Sequence, residues 1–349
     1  MSRQLALDTI HLKPTPRLAH TDYSMGYHKE YIRKLTGLDP TADRSAELRF
    51  NDLWSMDFIW SSSDGLHGDW GRRGRATDMG HAVYASDGSD QRTPAHCPFE
   101  TPEAVWDFDP VKEYGLPDFQ AQVDAYEKQQ QNALKNAPGQ LVTGGYYKTL
   151  VSGALAAFGW DMLLLAASEP DKMDKVLDGF FRFTLFHMEA WARTSAPVII
   201  QHDDFVWTAG PFMNPDFYRQ AIVPRYAELW KPLHKAGKKV LFCSDGLFTM
   251  FAEDVVRAGA DGLIFEPCND FGWMSERLGQ TTCLVGSYVD CRDMTFNKWD
   301  VVRDQMDRTF AAAPRCKGLI FAVGNHIPAN VPDEMCDRYI AYLREHWSR

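Results

Sequence analysis

Five short apolar runs alternate with helical patterns in the C-terminal half of the 349-residue chain. Each run places Val, Ile, Leu or Phe at consecutive positions, which is typical of strands buried on both faces of a parallel sheet. The runs are "PVIIQHDD" (197–204), "KKVLFCSD" (238–245), "GLIFEPC" (262–268), "TCLVGSYVD" (282–290) and "GLIFAVGNH" (318–326). We therefore predict five parallel strands in this half of the chain.

Helical patterns lie between and around these runs. The segment 214–237 begins with Asn214 as the expected N-cap and Pro215 at the first helical position, and it ends at Gly237, a common stop for a helix. Further helices are predicted at 118–136, 148–168, 170–194, 247–260, 298–313 and 332–347. Strand and helix thus alternate, which predicts a parallel sheet with right-handed crossovers.

The alternation is weaker in the first part of the chain. The segment "GQLVTGGYY" (139–147) predicts one strand that ends at a glycine pair. Residues 60–91 are rich in Trp, Asp, Gly and His and show no clear period, which predicts a long loop with room for a hairpin. Because the segment is also aromatic, we expect it to be ordered and, over residues 60–100, to form part of the lid or wall of a pocket.

These patterns favour a closed barrel over an open sheet. An open doubly wound sheet usually carries a glycine-rich phosphate-binding motif after its first strand, and the sequence contains neither GxGxxG nor GxxxxGK[ST]. We therefore predict an α/β chain folded as a (β/α)8 TIM barrel, a single domain with an elaborated N-terminal region. Residues 1–110 would supply that region, and residues 111–349 the remainder of the barrel.

Polar residues end each of the five predicted strands. In a β/α barrel, the loops at the C-terminal ends of the strands build the active site, so we expect these residues to line one pocket. They are His202, Asp203 and Asp204; Cys243 and Asp245; Glu266; Asp290; and Asn325 and His326. Such side chains suit either a zinc site or acid–base chemistry without a cofactor.

Structural roles for the same residues stay open. A cysteine in an apolar strand, such as Cys243, is often a small buried hydrophobic residue. The pair Asp245-Gly246 could cap the following helix, and a lone histidine such as His326 is often structural. The coincidence of polar residues at five successive strand ends carries more weight than any one of them.

Composition excludes several classes of protein. The formal charge is −10, from 37 basic and 47 acidic residues, which disfavours a nucleic-acid-binding or anionic-membrane-binding protein. No apolar run reaches the roughly 18 residues of a membrane span, and the N-terminus lacks the pattern of a signal peptide. The seven cysteines contain no CxxC pair, so we expect free thiols and a cytoplasmic location.

An ordered series of motifs resembles the uroporphyrinogen decarboxylase superfamily. Residues 202–246, from "HDDFVW" to "FCSDG", resemble a segment in which an aspartate motif precedes a Pro-Asp-x-Phe helix. The stretches "RAGADGLIFEP", "GSYVD" and "GNHIPANVPDE" follow in the family's order, "GGYYKTL" (144–150) is similar to its Gly-x-Pro-x-Thr-Leu turn, and "YIRKLTGLDP" (31–40) resembles its methyltransferase branch. The likeness covers about residues 25–345 and implies a β/α barrel.

The methyltransferase branch implies one function. A member would take a methyl group from a small methylated compound and pass it to a corrinoid on a separate partner protein, often with zinc. That branch often carries His-x-Cys where this chain has Cys243-Ser244-Asp245, and a later cysteine where it has Asn325. The resemblance therefore implies a rearranged zinc site, built either from Cys243, Asp245, Glu266 and His326 or from the aspartates at 203–204. The resemblance also allows a homodimer.

Site roles follow from the same resemblance. The expected catalytic residues of the mouth are Asp204, Asp245, Glu266 and His326. The expected substrate-binding residues are His202, Asp203, Tyr146, Trp207, Asp290 and Asn325.

Decarboxylation of uroporphyrinogen, without a cofactor, is the alternative function. Asp57 would stabilise positive charge on a pyrrole, Tyr147 would bind an acetate group, and the "GRRGR" run (71–75) would bind carboxylates. The family's arginine motif "RQAGRY" is absent, because the matching region reads "DYSMGYHKEYIRKL". A third interpretation is a binding barrel without catalysis.

Overall fold

The computed structural model describes residues 2–64, 83–84, 90–91 and 97–349, with only the backbone of residues 63–64, 83–84 and 90–91. The "GRRGR" run and most of the predicted pocket wall at 60–100 lie outside the described residues. The strands in the described ranges are β1 (Ala19–His20), β2 (Phe58–Ile59), β3 (Ser63–Asp64), β4 (Val83–Tyr84), β5 (Asp90–Gln91), β6 (Leu141–Val142), β7 (Gly144–Tyr147), β8 (Val198–His202), β9 (Lys239–Ser244), β10 (Gly262–Phe265), β11 (Cys283–Val285) and β12 (Leu319–Phe321).

Parallel pairing arranges these strands as a closed wall. One sheet has the order β1-β12-β11-β10-β9-β8-β7-β3, and β2 pairs with β6 beside it, while β4 and β5 form a separate antiparallel pair. Strands β2 and β3 continue one line of the wall, as do β6 and β7, which only Thr143 separates. The wall closes where the Asp57 N–H donates to the His20 carbonyl (2.9 Å) and the Leu141 N–H to the Asp57 carbonyl (2.9 Å). This arrangement confirms the predicted eight-stranded β/α barrel.

Helices follow most strands and cover the outside of the wall. The described helices are Ser2–Ile10, Lys29–Thr36, Ser45–Leu53, Pro102–Trp106, Pro110–Tyr114, Phe119–Asn136, Val151–Ala167, Pro170–Ala192, Pro215–Phe217, Val223–Lys235, Ala252–Ala258, Phe271–Arg277, Cys291–Thr295, Trp299–Ala312 and Asp333–His346. The Asn214 side chain caps its helix as predicted, accepting from the Asp216 N–H at 2.9 Å. None of these described helices is both long and apolar enough to cross a membrane.

Consecutive apolar residues in the strands serve two cores. Ile200, Leu241 and Ile264 belong to a cluster inside the barrel, whereas their neighbours Ile199 and Phe242 belong to the layer between strands and helices. This alternation explains why the strands read as continuous apolar runs. Leu5, Ala6 and Ile10 of the first helix join the inner cluster. That helix therefore closes the N-terminal end of the barrel, and the C-terminal end is left for chemistry.

Candidate functional site

Asp204 connects three strands at the C-terminal end of the barrel. Its Oδ1 lies 2.9 Å from His202 Nε2 and accepts from the Asp245 backbone N–H at 2.9 Å. Its Oδ2 accepts from the Tyr147 hydroxyl at 2.9 Å. The carboxylate is almost fully buried, so these bonds fix its position. The structure thus brings together four residues that the sequence predicted for the mouth.

The side chain of Asp203 points away from the group around Asp204. Strand alternation turns it out of the barrel, where it accepts from the Ser152 N–H (2.7 Å), the Ser152 hydroxyl (2.8 Å) and the Tyr226 hydroxyl (2.7 Å). It is fully buried. The carboxylate therefore holds the first turn of helix Val151–Ala167 and the helix that carries Tyr226. The predicted substrate-binding role of Asp203 is corrected to a structural one.

Three side chains in the mouth are close enough to share a metal ion. One ligand atom each of His202, Asp204 and Asp245 lies within 4.8 Å of the others. Imidazole nitrogen and carboxylate oxygen are both zinc ligands, so this donor set fits zinc. Cys243 is the cross-strand neighbour of His202 but falls outside the group. Of the first predicted ligand set, Asp245 belongs to this group, and of the alternative pair, Asp204 does.

The pKa values of His202 and Asp204 depend on each other. Burial alone would lower the pKa of His202, but Cys243 and Asp204 raise it well above the ordinary 6.5. Burial alone would raise the pKa of Asp204, but His202 lowers it below its ordinary value. Burial raises the pKa of Cys243 to about 11. His202 and Asp204 therefore stabilise each other's charged forms, whereas burial favours the neutral form of the Cys243 thiol.

Glu266, Asn325 and His326 form a second cluster beside the first. Glu266 Oε2 accepts from the Gly246 N–H at 2.5 Å, and its Oε1 accepts from the Asn325 side-chain amide. His326 Nδ1 is hydrogen-bonded to the Ser24 hydroxyl. These contacts tie together the loops that follow β9, β10, β12 and β1. The structure therefore gives Glu266 and His326 partners other than the His202–Asp204–Asp245 group.

Residues from the first strands complete the pocket. A cavity of about 20 Å³ lies at its centre, which is room for roughly one water-sized group. Its lining is Tyr23, Trp60, Ser62, Tyr147, His202, Asp245, Asn325 and His326. None of these described lining residues is lysine or arginine. Trp60 and Ser62 lie in the segment 60–100 that was expected to form part of the pocket wall. Tyr23 was not predicted, and its position just after the first strand is the signal that could have identified it.

Aromatic rings form two walls of the cavity. The Tyr23 ring contacts Trp60 edge-on, with centroids 4.6 Å apart, and His326 at 4.4 Å. Elsewhere in the lining, Tyr147 stacks on His202 with centroids 4.1 Å apart. Such contacts hold side chains in one orientation. The polar atoms that face the cavity are therefore preorganised.

Lys148 is a further residue that sequence reasoning missed. It follows β7 with a left-handed backbone (φ 59) and is 1% exposed, which is unusual for lysine. Its ammonium lies 5.3 Å from the centre of the Tyr147 ring. Lys148 therefore lies where it supports the ring whose hydroxyl binds Asp204.

Asp57 is not in the mouth. It precedes β2, at the end of the barrel that the first helix closes, and its carboxylate is fully buried. Arg17 binds it through two nitrogens, at 2.6 and 2.8 Å, and the His20 N–H donates to it at 3.0 Å. The structure thus corrects the predicted position of Asp57 in the pocket.

Three other predicted residues lie away from the cavity. Tyr146 faces outward and stacks on His187 at 4.7 Å. Trp207 is 50% exposed on a rim loop, where it contacts Trp160. Asp290 caps helix Cys291–Thr295 through the Arg292 N–H (2.8 Å) and pairs with the Arg292 side chain. None of the three lines the described cavity.

Comparisons with known proteins agree with this architecture. A model of the uroporphyrinogen decarboxylase (URO-D) family matches residues 156–346, more than half of the chain. Among solved structures, a methyltransferase from Methanosarcina mazei is similar, with a TM-score of 0.65 and 16% identity over 99% of this chain and 98% of that chain. D-Psicose 3-epimerase from Clostridium cellulolyticum H10 matches with a TM-score of 0.39 and 13% identity, over 70% of this chain and 90% of that one. No curated protein sequence matches the chain.

Proposed function

Because the chain belongs to the uroporphyrinogen decarboxylase family, we propose that it is a methyl-transfer enzyme of that family. It would take a methyl group from a small methylated compound and deliver it to a corrinoid on a partner protein. The observation that carries this proposal is the group of His202, Asp204 and Asp245 at the C-terminal end of the barrel. The similar fold of the Methanosarcina mazei methyltransferase is compatible with it.

The residues of this group fit zinc, which His202, Asp204 and Asp245 would hold, with Cys243 beside them. When bound, zinc would act as a Lewis acid on the heteroatom that carries the methyl group. The chain's own residues prepare the site. The Tyr147 hydroxyl and the Asp245 N–H orient Asp204, so that its oxygens remain directed toward His202 and the cavity.

Uroporphyrinogen decarboxylation receives less support from the geometry. Its proposed aspartate, Asp57, is sealed by Arg17 at the other end of the barrel. A substrate with many carboxylates needs several cationic partners, and the described cavity lining includes neither lysine nor arginine. Methyl transfer is therefore the function that the described site supports best.

Metal content tests the site directly. We expect wild-type protein purified without chelators to carry roughly one zinc per chain by mass spectrometry, and His202→Ala and Asp245→Ala to lose it. His234→Ala is a matched control, since His234 pairs with Asp261 outside the site. Wild-type protein that stays free of metal after incubation with zinc would remove the metal from the proposal. If both site variants retained zinc, the zinc site would have to lie outside the His202–Asp204–Asp245 group.

Activity tests the reaction. Free cob(I)alamin serves as the methyl acceptor, and methylcobalamin formation is followed by its absorbance with a panel of methyl ethers, thioethers and amines. We expect turnover with at least one donor, lost in His202→Ala and retained in His234→Ala. Turnover of uroporphyrinogen, with no methyl transfer to cobalamin, would instead identify a decarboxylase. Ligand binding without either reaction would indicate a non-catalytic barrel.

A further inference from the structure

The polar groups that face the cavity differ in whether the protein already binds them. Tyr147 donates to Asp204, and His202 is bonded to the same carboxylate. Asn325 donates to Glu266. The phenol oxygen of Tyr23, by contrast, has no hydrogen bond to any of the residues that the structure describes. A phenol at the wall of a cavity is a donor that a ligand can use.

The ring and the backbone of Tyr23 are fixed by contacts with neighbouring residues. Trp60 and His326 pack against its ring, and its carbonyl accepts from the Ile327 N–H at 3.3 Å. The preceding residue, Asp22, is fixed by the Val323 N–H at 2.9 Å and by His20 at 2.7 Å. The hydroxyl is therefore presented in one direction, at little entropic cost to a bound ligand.

Tyr23 also faces the charged group. His202, Cys243 and Asp245 are its electrostatic neighbours. Burial raises its pKa, against a lowering effect of His202, so the phenol stays protonated at neutral pH. A ligand atom in the 20 Å³ cavity would thus lie among Tyr23, His202 and Asp245, which all line it.

We propose that Tyr23 is a catalytic residue that donates its hydroxyl proton to the heteroatom that the methyl group leaves. This inference rests on the methyl-transfer function proposed above. It requires a heteroatom with a free lone pair, such as the oxygen of a methyl ether, and it excludes a quaternary ammonium compound, which cannot accept a hydrogen bond.

The step balances as follows in atoms and electrons. The reduced corrinoid of the partner supplies an electron pair and attacks the methyl carbon. The bond between that carbon and the ether oxygen breaks, and its electron pair remains on the oxygen. The oxygen takes the proton of Tyr23, and the resulting phenolate regains a proton from solvent after the product leaves. Tyr23 thus assists departure of the leaving group as a general acid.

A pair of isosteric probes tests this role without turnover. 4-Nitroanisole carries the ether oxygen, and 1-ethyl-4-nitrobenzene replaces that oxygen with a methylene group. We expect wild-type protein to bind 4-nitroanisole about 3- to 10-fold more tightly by calorimetry, the value of one net hydrogen bond. In Tyr23→Phe this preference should disappear. Tyr27→Phe removes a hydroxyl from an exposed neighbour outside the cavity lining and should keep it.

Each outcome decides the inference. An unchanged preference in Tyr23→Phe overturns it, as does wild-type protein that binds both probes equally or binds neither. With cob(I)alamin as acceptor, Tyr23→Phe should slow aliphatic methyl ethers, whose leaving group is strongly basic, more than 4-nitroanisole. A purely structural role would slow both alike. Loss of the probe preference without any methyl transfer in the wild type would retain the binding contact but refute the proposed function.

Discussion

Two adjacent aspartates are expected to respond in opposite ways to the same substitution. Asp203→Asn should destabilise the protein and leave zinc binding intact, because Asp203 faces the helices. Asp204→Asn should reduce zinc binding with a smaller effect on stability, because Asp204 faces the cavity beside His202. Strand alternation alone assigns these different roles.

The magnitude follows from the donors around Asp203. An asparagine can keep the two bonds to Ser152 through its oxygen, while its amide group can donate to the Tyr226 oxygen. The N–H groups of Leu150 and Val151, each 3.3 Å from Asp203 Oδ2, then face another donor. Unpaired buried donors cost about 1 kcal/mol or more each, so the variant should lose about 2 kcal/mol. For a chain of 349 residues that lowers the unfolding temperature by about 3 °C.

Thermal unfolding and zinc content are measured on the same preparations. Asp216→Asn is the matched surface control, because that side chain is 74% exposed. The reasoning would be refuted if Asp203→Asn unfolded at the wild-type temperature while losing zinc. It would equally fail if Asp204→Asn kept full zinc content.

Two further predictions concern the stability of the barrel. Arg17→Met should cost about 3 kcal/mol in unfolding free energy, because it leaves the buried Asp57 carboxylate without its ion pair. Urea unfolding measures this loss, and the zinc content of the variant should not change. Burial alone would raise the pKa of Asp261, but His234 and Lys239 lower it below its ordinary value. The ionised Asp261 carboxylate therefore stabilises the folded state above the unfolded pKa of about 3.9. This stabilisation is lost as the pH falls through the lower pKa of the folded state. Asp261→Asn should therefore flatten the fall in unfolding temperature at acidic pH, and a slope equal to wild type would contradict this.

The sequence predicted the C-terminal strands well because two-sided burial leaves a strong signal. All five apolar runs became strands of the barrel, from β8 to β12. The first strands gave no such signal, since β1 and β2 each span only two residues. Tyr23, which belongs to that weak region, was therefore missed.

The sequence placed the candidate residues at the C-terminal ends of the strands but did not show which face of each strand they occupy. Both faces of β8 are apolar, so its sequence has no period of two that would show which of Asp203 and Asp204 enters the cavity. Tyr146 and Tyr147 posed the same problem on β7. The placement of Asp57 came from resemblance, and in the structure the residue directly precedes its strand.

The two ends of the barrel show why Asp204 and not Asp57 suits a functional site. Each carboxylate is buried and accepts several hydrogen bonds. The partner of Asp57 is a guanidinium, which stays charged and cannot bind a metal, so that pair is permanently closed. The partner of Asp204 is the imidazole of His202, whose nitrogen can release its proton and become a ligand. At the C-terminal end, an incoming cation can therefore replace the proton of His202, and the buried Asp204 carboxylate keeps a positive partner.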